Sequence, residues 1–293
     1  MKKLSTFLVI CWYLLSYFIS IIVLDQISII ENIWIRILIA HIVATIIIYV
    51  GSLVHNNSSL YDPFWSVAPI PITFYLFFTP GLSNITCLNK LFITFPIFIW
   101  SVRLTRNWFI SWDGFSHEDF RYINLKKGNK LKLEFINFIG IHLIPTLQVN
   151  LSLTPLYFIH NSVELNETNF LLMLASIFTM LAVAIETLAD EQMRLFKKDR
   201  LNDGTTMTKG LWHYSRHPNY LGEITLWLGI SIISFSSLAG WQLITLISPI
   251  FTYLLLVYVS GIRILDYNGN KKWGHLDSYK DYRKNTPRLI GFL

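Results

Sequence analysis

Gly210-Leu211-Trp212-His213-Tyr214-Ser215-Arg216-His217-Pro218-Asn219-Tyr220-Leu221-Gly222-Glu223 is the stretch on which the fold of this chain turns. Aromatic, basic and acidic residues crowd into it, and past Tyr220 the chain is apolar for most of the way to Ile262. Arg216, His217, Asn219 and Glu223 therefore stand at the lip of a membrane segment. Ionisable groups at such a depth are costly without partners and mark function by default. The simpler account is an interfacial anchor, because Trp and Tyr favour the headgroup level and Arg snorkels. That account leaves Pro218 and Gly222, set among polar groups, unexplained.

Composition agrees with a membrane reading. The 293 residues are 53% hydrophobic and 14% charged, and the mean hydropathy is +0.46. This excludes an ordinary soluble globule. Once the apolar runs are set aside no long soluble domain is left, so residues 1–293 read as a single integral membrane domain. Cys11 and Cys87 lie in or near apolar runs and form no motif, which supports neither a disulfide framework nor a zinc cluster. Met1-Lys2-Lys3 before an apolar run resembles a signal peptide, but there is no small-residue cleavage site, and Leu4–Leu24 is long enough to span. It reads as a retained anchor.

Apolar runs long enough for a spanning helix are Leu4–Leu24, Ile33–Val54, Leu91–Trp108, Phe135–Ile159, Phe170–Ala189, Leu221–Leu238 and Trp241–Ile262. Phe64–Phe78 is shorter and holds Pro69 and Pro71, so it is kinked or spans only in part. The expected fold is thus all-α: a polytopic membrane helix bundle of about eight transmembrane helices. Basic residues test the count. Lys2 and Lys3 start the chain, and others follow the fourth run (Arg103, Arg106, Arg121, Lys126, Lys127, Lys130, Lys132), the sixth (Arg194, Lys197, Lys198, Arg200, Lys209, Arg216) and the eighth (Arg263, Lys271, Lys272, Lys280, Arg283, Lys284, Arg288), and only Arg36 and Lys90 fall on the other side. The positive-inside rule then puts both termini in the cytosol, in a bacterial inner membrane or an endoplasmic reticulum membrane. The net charge of +6 reports topology, and no nucleic-acid partner is expected. The partners expected are the lipid bilayer and a hydrophobic small molecule.

The chemistry gathers on that basic face. Arg103 and Arg106 lie three apart at a span's end, a placement suited to phosphate. His117-Glu118-Asp119-Phe120-Arg121-Tyr122 sets an acid pair against a base and a phenol. Glu186, Asp190 and Arg194 repeat every four residues, one helical stripe, in which Asp190 and Arg194 offer Glu186 a network; an i,i+4 ion pair at the helix end explains Arg194 equally well. His213 and His217 have the spacing of a metal pair, but Pro218 disfavours helix at His217, and no metal is assigned. The tail from Arg263 to Ile290 mixes polar and aromatic residues. It is either a cap folded back onto the bundle or a basic strip on anionic lipid.

The opening motif resembles the signature of the steroid 5-alpha reductase superfamily, above all its poorly characterised, mostly bacterial branch. Asp62-Pro63-Phe64-Trp65, Glu118-Asp119-Phe120-Arg121-Tyr122, Ala189-Asp190 and Tyr279…Tyr282…Thr286-Pro287 resemble the same branch, so the likeness runs over residues 62–293. Related runs occur in sterol delta-14 reductases and in isoprenylcysteine carboxyl methyltransferases. The resemblance implies a helical bundle with a cofactor pocket open to the cytosol. It implies NADPH as cofactor and reduction of a carbon–carbon double bond conjugated to a carbonyl in a lipid or steroid-like substrate. By position, Asn219 and Glu223 match the cofactor-binding residues of the signature, and Arg216, His217, Tyr220, Arg103, Asp190 and Arg194 are further cofactor-binding candidates. Glu118 and Tyr122 are the candidates for polarising the carbonyl. Two positions depart: Leu226 stands where steroid reductases carry a second acid, and Glu186 where they carry asparagine. The rival implied by the same run is an S-adenosylmethionine-dependent lipid or isoprenylcysteine-type methyltransferase. A third alternative is a non-enzymatic lipid-binding protein.

Overall fold

The structure is a computed structural model that describes residues 2–119, 122–123, 130–160, 162, 165, 167, 169–199, 204–235, 237–259 and 261–291. Among these residues there are helices and connecting turns and no strand. The helices are α1 (Lys2–Gln26), α2 (Ile33–Val54), α3 (Phe64–Val67), α4 (Pro69–Phe78), α5 (Cys87–Ser111), α6 (Lys130–Ile136), α7 (Ile144–Ser152), α8 (Thr154–Ile159), α9 (Phe170–Lys198), α10 (Leu211–Tyr214), α11 (Pro218–Phe235), α12 (Ser248–Leu254), α13 (Ile262–Trp273) and α14 (Asp277–Asn285). Two compact units divide the chain, Met1–Ile85 with Ile97–Asn161 and Thr86–Pro96 with Ser162–Leu293.

Among the described residues, six helical stretches are long and apolar enough to cross a bilayer: Lys2–Gln26, Ile33–Val54, Cys87–Ser111, Leu133–Ser152, Phe170–Lys198 and Gly240–Trp273. They fit an integral multi-pass membrane protein. The two remaining expected spans are shorter helices. Phe64–Phe78 is broken at Ala68 into α3 and α4, because Pro69 and Pro71 carry no N–H for the preceding turn. α11 has 18 residues, about 27 Å at the usual rise, and Asn219 and Glu223 lower the apolarity of its first turns.

The burial pattern of α1 favours lipid. Its buried residues are Ser5, Val9, Tyr13, Ser16 and Ser20, while Leu4, Phe7, Leu14, Phe18 and Ile21 are exposed. A helix that hides its serines and shows its leucines is inverted for water and ordinary for hydrocarbon, where small and polar residues make the helix contacts. Ser20 Oγ donates to the carbonyl of Ala40 on α2 at 3.0 Å, and Tyr13 Oη donates to the carbonyl of Leu60 at 2.8 Å.

Proline and glycine set the finer geometry. Between α6 and α7 the turn widens over Asn137–Leu143, with the amide of Ile144 reaching back to the carbonyl of Ile139. This wide turn lies directly before Pro145, which has no N–H to return. Pro96 sits inside α5 and leaves the carbonyl of Phe92 without its helical donor. Ser176 Oγ of α9 donates to that carbonyl at 2.7 Å. Ser176→Ala is therefore expected to lower the stability of the second unit by ~1–3 kcal/mol. The loss should appear as a drop in the thermal midpoint of the detergent-solubilised protein, and Pro96→Ala, by restoring the helical N–H, should offset it.

α9 and α11 pack along a seam of small residues. A Cβ built on Gly222 would lie 2.7 Å from the Cβ of Glu186 and 3.0 Å from the carbonyl of Ala182, and one built on Gly229 would overlap Thr179. The facing side of α9 buries Ala175, Thr179 and Ala182. Backbones at this separation gain dispersion contacts that hydrocarbon tails cannot supply. Gly222 is thus explained: the helix that begins with the polar motif must approach α9 closely.

Candidate functional site

The second unit builds a fixed seat for the opening motif. Gly210 has φ +62, a conformation open to glycine at no steric cost, and it turns the chain under Gln192, whose Oε1 accepts the amide of Leu211 at 2.9 Å. Buried Trp212 donates its indole N–H to the carbonyl of Ala189 at 3.0 Å. After the single turn of α10, Ser215 is extended, and Pro218 disfavours the helical region at His217. Pro218 then opens α11, where a missing N–H costs nothing.

The tail folds back onto this seat, the first of the two alternatives for it. The amides of Arg216 and His217 donate to the carbonyls of Pro287 and Arg288 at 2.9 and 3.1 Å. Tyr282 Oη donates to the carbonyl of Trp212 at 2.6 Å, and Thr286 Oγ1 to that of His213 at 3.3 Å. Burial pushes the Tyr282 phenol up to about 12, so it stays a neutral donor at any physiological pH.

Asp266 of α13 is the hub of the charges. Arg216 Nη1 lies 3.0 Å from its carboxylate, Arg288 Nε 3.1 Å, His217 Nε2 3.6 Å and Arg283 Nη2 3.9 Å. Arg216 and Asp266 are nearly buried, whereas Arg288 is half exposed. The Arg216 guanidinium is held below its ordinary value, first by burial, with Arg283 and Arg288 pushing the same way against Asp266. The ring of His217 stacks on Tyr220, centroids 5.8 Å apart and planes at 16°. His217 thus serves Asp266 and Tyr220, while His213 is exposed with its ring against Tyr214. Among the described residues no three His, Cys, Asp or Glu side chains group as metal ligands.

The acids of α9 and α11 sort by depth. Asn219 Nδ2 donates to Asp190 Oδ1 at 3.2 Å, and Glu223, nearly buried, accepts the indole N–H of Trp227 at 2.8 Å. Glu186 is deeper, 4% exposed, with its Cβ against Gly222. The stripe of Glu186, Asp190 and Arg194 exists as a helix face, but Arg194 leaves it. Its guanidinium is exposed and bidentate on Glu191, at 2.7 and 2.5 Å. An ion pair at the helix end does account for that residue, but it runs i,i+3 to Glu191 and not i,i+4 to Asp190. Asn219, Asp190, Glu223, Arg216, His217 and Tyr220 therefore share one unit, and Arg194 stands at its surface.

Arg103, Glu118 and Tyr122 belong to the first unit. Arg103 is buried at 7% exposure while Arg106 is exposed, so three-residue spacing did not give the two arginines one environment. Glu118 and Tyr122 both hold the loop before α3: Glu118 Oε1 accepts the amide of Ser58 at 2.7 Å, and Tyr122 Oη donates to Asp62 Oδ1 at 2.5 Å. Phe120 and Arg121 of the same block lie outside the described residues. The loop itself is a buried polar centre. Asn57 Nδ2 donates to the carbonyls of Phe115 and His117, both at 3.0 Å. Ser58 Oγ donates to Asn137 Oδ1 at 2.9 Å, and the Tyr61 and Thr146 hydroxyls meet at 2.8 Å. Sequence reasoning passed over Asn57, Ser58, Asn137 and His142. The signal available was an interhelical loop, His55–Asp62, with two amide and three hydroxyl side chains and no Lys or Arg.

Comparison with known proteins follows this geometry. Residues 48–286 match the family described as "Protein of unknown function (DUF1295)", and the chain belongs to that family. It is similar to "Uncharacterized protein C594.04c" of Schizosaccharomyces pombe, 26% identical over 263 residues that cover 80% of this chain and 74% of the relative. No solved structure matches the chain.

Proposed function

We propose, starting from that family membership, that the protein is a membrane-embedded reductase. It uses NADPH to reduce a carbon–carbon double bond conjugated to a carbonyl in a lipid that enters from the bilayer. The observation that carries the proposal is the seat of Arg216, His217, Asn219 and Glu223: a motif resembling the steroid 5-alpha reductase signature is fixed at the start of an apolar helix, with its side chains already oriented by partners. In this proposal about eight helices span the membrane and both termini face the cytosol, as the basic residues argue.

The residues fit such a cofactor in part. Arg216, with Arg283 and Arg288 beside it, suits phosphate. The amide of Asn219 and the carboxylate of Glu223 suit a carboxamide, which both donates and accepts. Glu186, an acid buried against Gly222, does not suit a diphosphate. NADPH, held by these residues, would supply the hydride for the reduction. The reduction also needs a hydrogen-bond donor to the carbonyl oxygen and a proton for the α carbon; of the two candidates, Glu118 would donate only as the protonated acid, and Tyr122 only on releasing Asp62, which takes its one hydroxyl proton. Ser58 and Asp62 orient these two side chains.

The purified protein is expected to bind NADPH, with at least tenfold weaker affinity in Asn219→Ala and in Glu223→Ala, a loss of about 1.4 kcal/mol or more each. Fluorescence titration measures it. Binding of S-adenosylmethionine in place of NADPH would turn the assignment to the methyltransferase class.

A further inference from the structure

We infer that Arg216, Arg283 and Arg288, gathered round Asp266, form a binding site for a phosphate monoester. Three guanidinium groups meet a single carboxylate, at 3.0, 3.9 and 3.1 Å. The cluster therefore holds two positive charges more than its acid can balance. The carboxylate sits on the inner side, 11% exposed, beside Arg216 at 10%, whereas Arg283 and Arg288 are 29% and 51% exposed. Arg288 commits Nε to Asp266, and among the described residues its two terminal nitrogens make no hydrogen bond, which leaves a fork of donors toward solvent. Arg283 is aimed by Asn270 and lies over the ring of Tyr279. Asp266 thus acts as an internal counter-charge that brings mutually repelling arginines together, and the surplus faces outward.

A dianion with three acceptor oxygens fits this surplus better than a carboxylate, since planar guanidinium forks bind phosphate oxygens in pairs. Two molecules offer that group on a membrane surface: a nucleotide bearing a phosphate monoester on its ribose, and a phosphomonoester lipid headgroup. The nucleotide source rests on the proposed function, and the lipid source does not. The site is held rigid by the backbone bonds that tie residues 287 and 288 to Arg216 and His217.

Calorimetric titration of the detergent-solubilised full chain with adenosine 2′-monophosphate, and separately with dioctanoyl phosphatidic acid, tests the inference. One of the two is expected to bind, about tenfold or more weaker in the Arg283→Gln/Arg288→Gln variant, and the ligand that responds identifies the source. Lys280→Gln, on the same helix but paired with Asp277, should leave affinity within about twofold. Arg288→Gln alone changes one half-exposed residue and serves if the double variant does not fold. Binding of neither ligand, or binding that the arginine variants leave unchanged, overturns the site. NADPH binding with equal affinity in wild type and double variant would leave the reductase reading standing and remove the nucleotide source, and absence of phosphatidic acid binding as well would remove the site.

Discussion

Gly229→Val is expected to unfold the second unit or to cost it ~3 kcal/mol or more. A Cβ at this position would overlap Thr179 Oγ1 and lie 2.9 Å from its Cβ, and 3.1 Å from its Cα. Thr179 cannot withdraw: it is fully buried and its hydroxyl donates to the carbonyl of Ala175 at 2.7 Å. The seam has no slack further along, because Gly222 meets Glu186 and the Ala182 carbonyl in the same way. The measurement is the monodisperse fraction and thermal midpoint after solubilisation. Thr179→Gly in the same chain should restore much of the loss, which separates overlap on the seam from a general intolerance of valine in α11.

Asp266→Ala is the second large change. It strips the counter-charge from Arg216, which is about nine-tenths covered, and leaves three guanidinium groups facing one another. Removing one partner of a buried pair costs roughly 3–5 kcal/mol. With Arg288 half exposed the lower end, about 3 kcal/mol, is the expected loss. Its signature is local. The tail held by Pro287 and Arg288 should become open to proteolysis before the helices melt. Asp266→Asn keeps an acceptor for Arg216 and should retain part of the order. A tail as resistant to protease in Asp266→Ala as in wild type would show that the backbone bonds alone hold it.

The helical architecture was legible wherever apolarity was continuous. Ile33–Val54 was located to the residue, because Asn32 caps its start, Oδ1 accepting the amide of Ile35 at 3.2 Å. Runs bounded by polar residues were placed short: α5 extends from Cys87 to Ser111, beyond Leu91–Trp108, since a helix continues into the interface after its apolarity ends. Phe64–Phe78 and Leu221–Leu238 were the least legible, for opposite reasons. The first breaks at prolines, and the second gives up apolarity to the residues that make it interesting.

The site was legible as a motif and illegible as a network. Arg216, His217, Asn219 and Glu223 were identified from their crowding at the edge of an apolar run. Their partners were not, because Asp266, Arg283 and Arg288 lie fifty to seventy-two residues away, and charge alone does not announce which acid a buried arginine will choose. Arg194 illustrates the converse. Four-residue spacing placed it on the stripe of Asp190, but at the exposed end of a helix the nearer Glu191 is reached without burying either charge. The polar loop of Asn57 and Ser58 carried no charge pattern at all. Its importance comes from being buried, which only the fold reveals.

The most direct test of the central claim is native mass spectrometry of the intact protein extracted gently from its membrane. The proposed function predicts a bound species of NADP(H) mass, lost in Asn219→Ala and Glu223→Ala. A protein that carries no nucleotide, takes up none from millimolar NADPH and binds S-adenosylmethionine or lipid alone would contradict it.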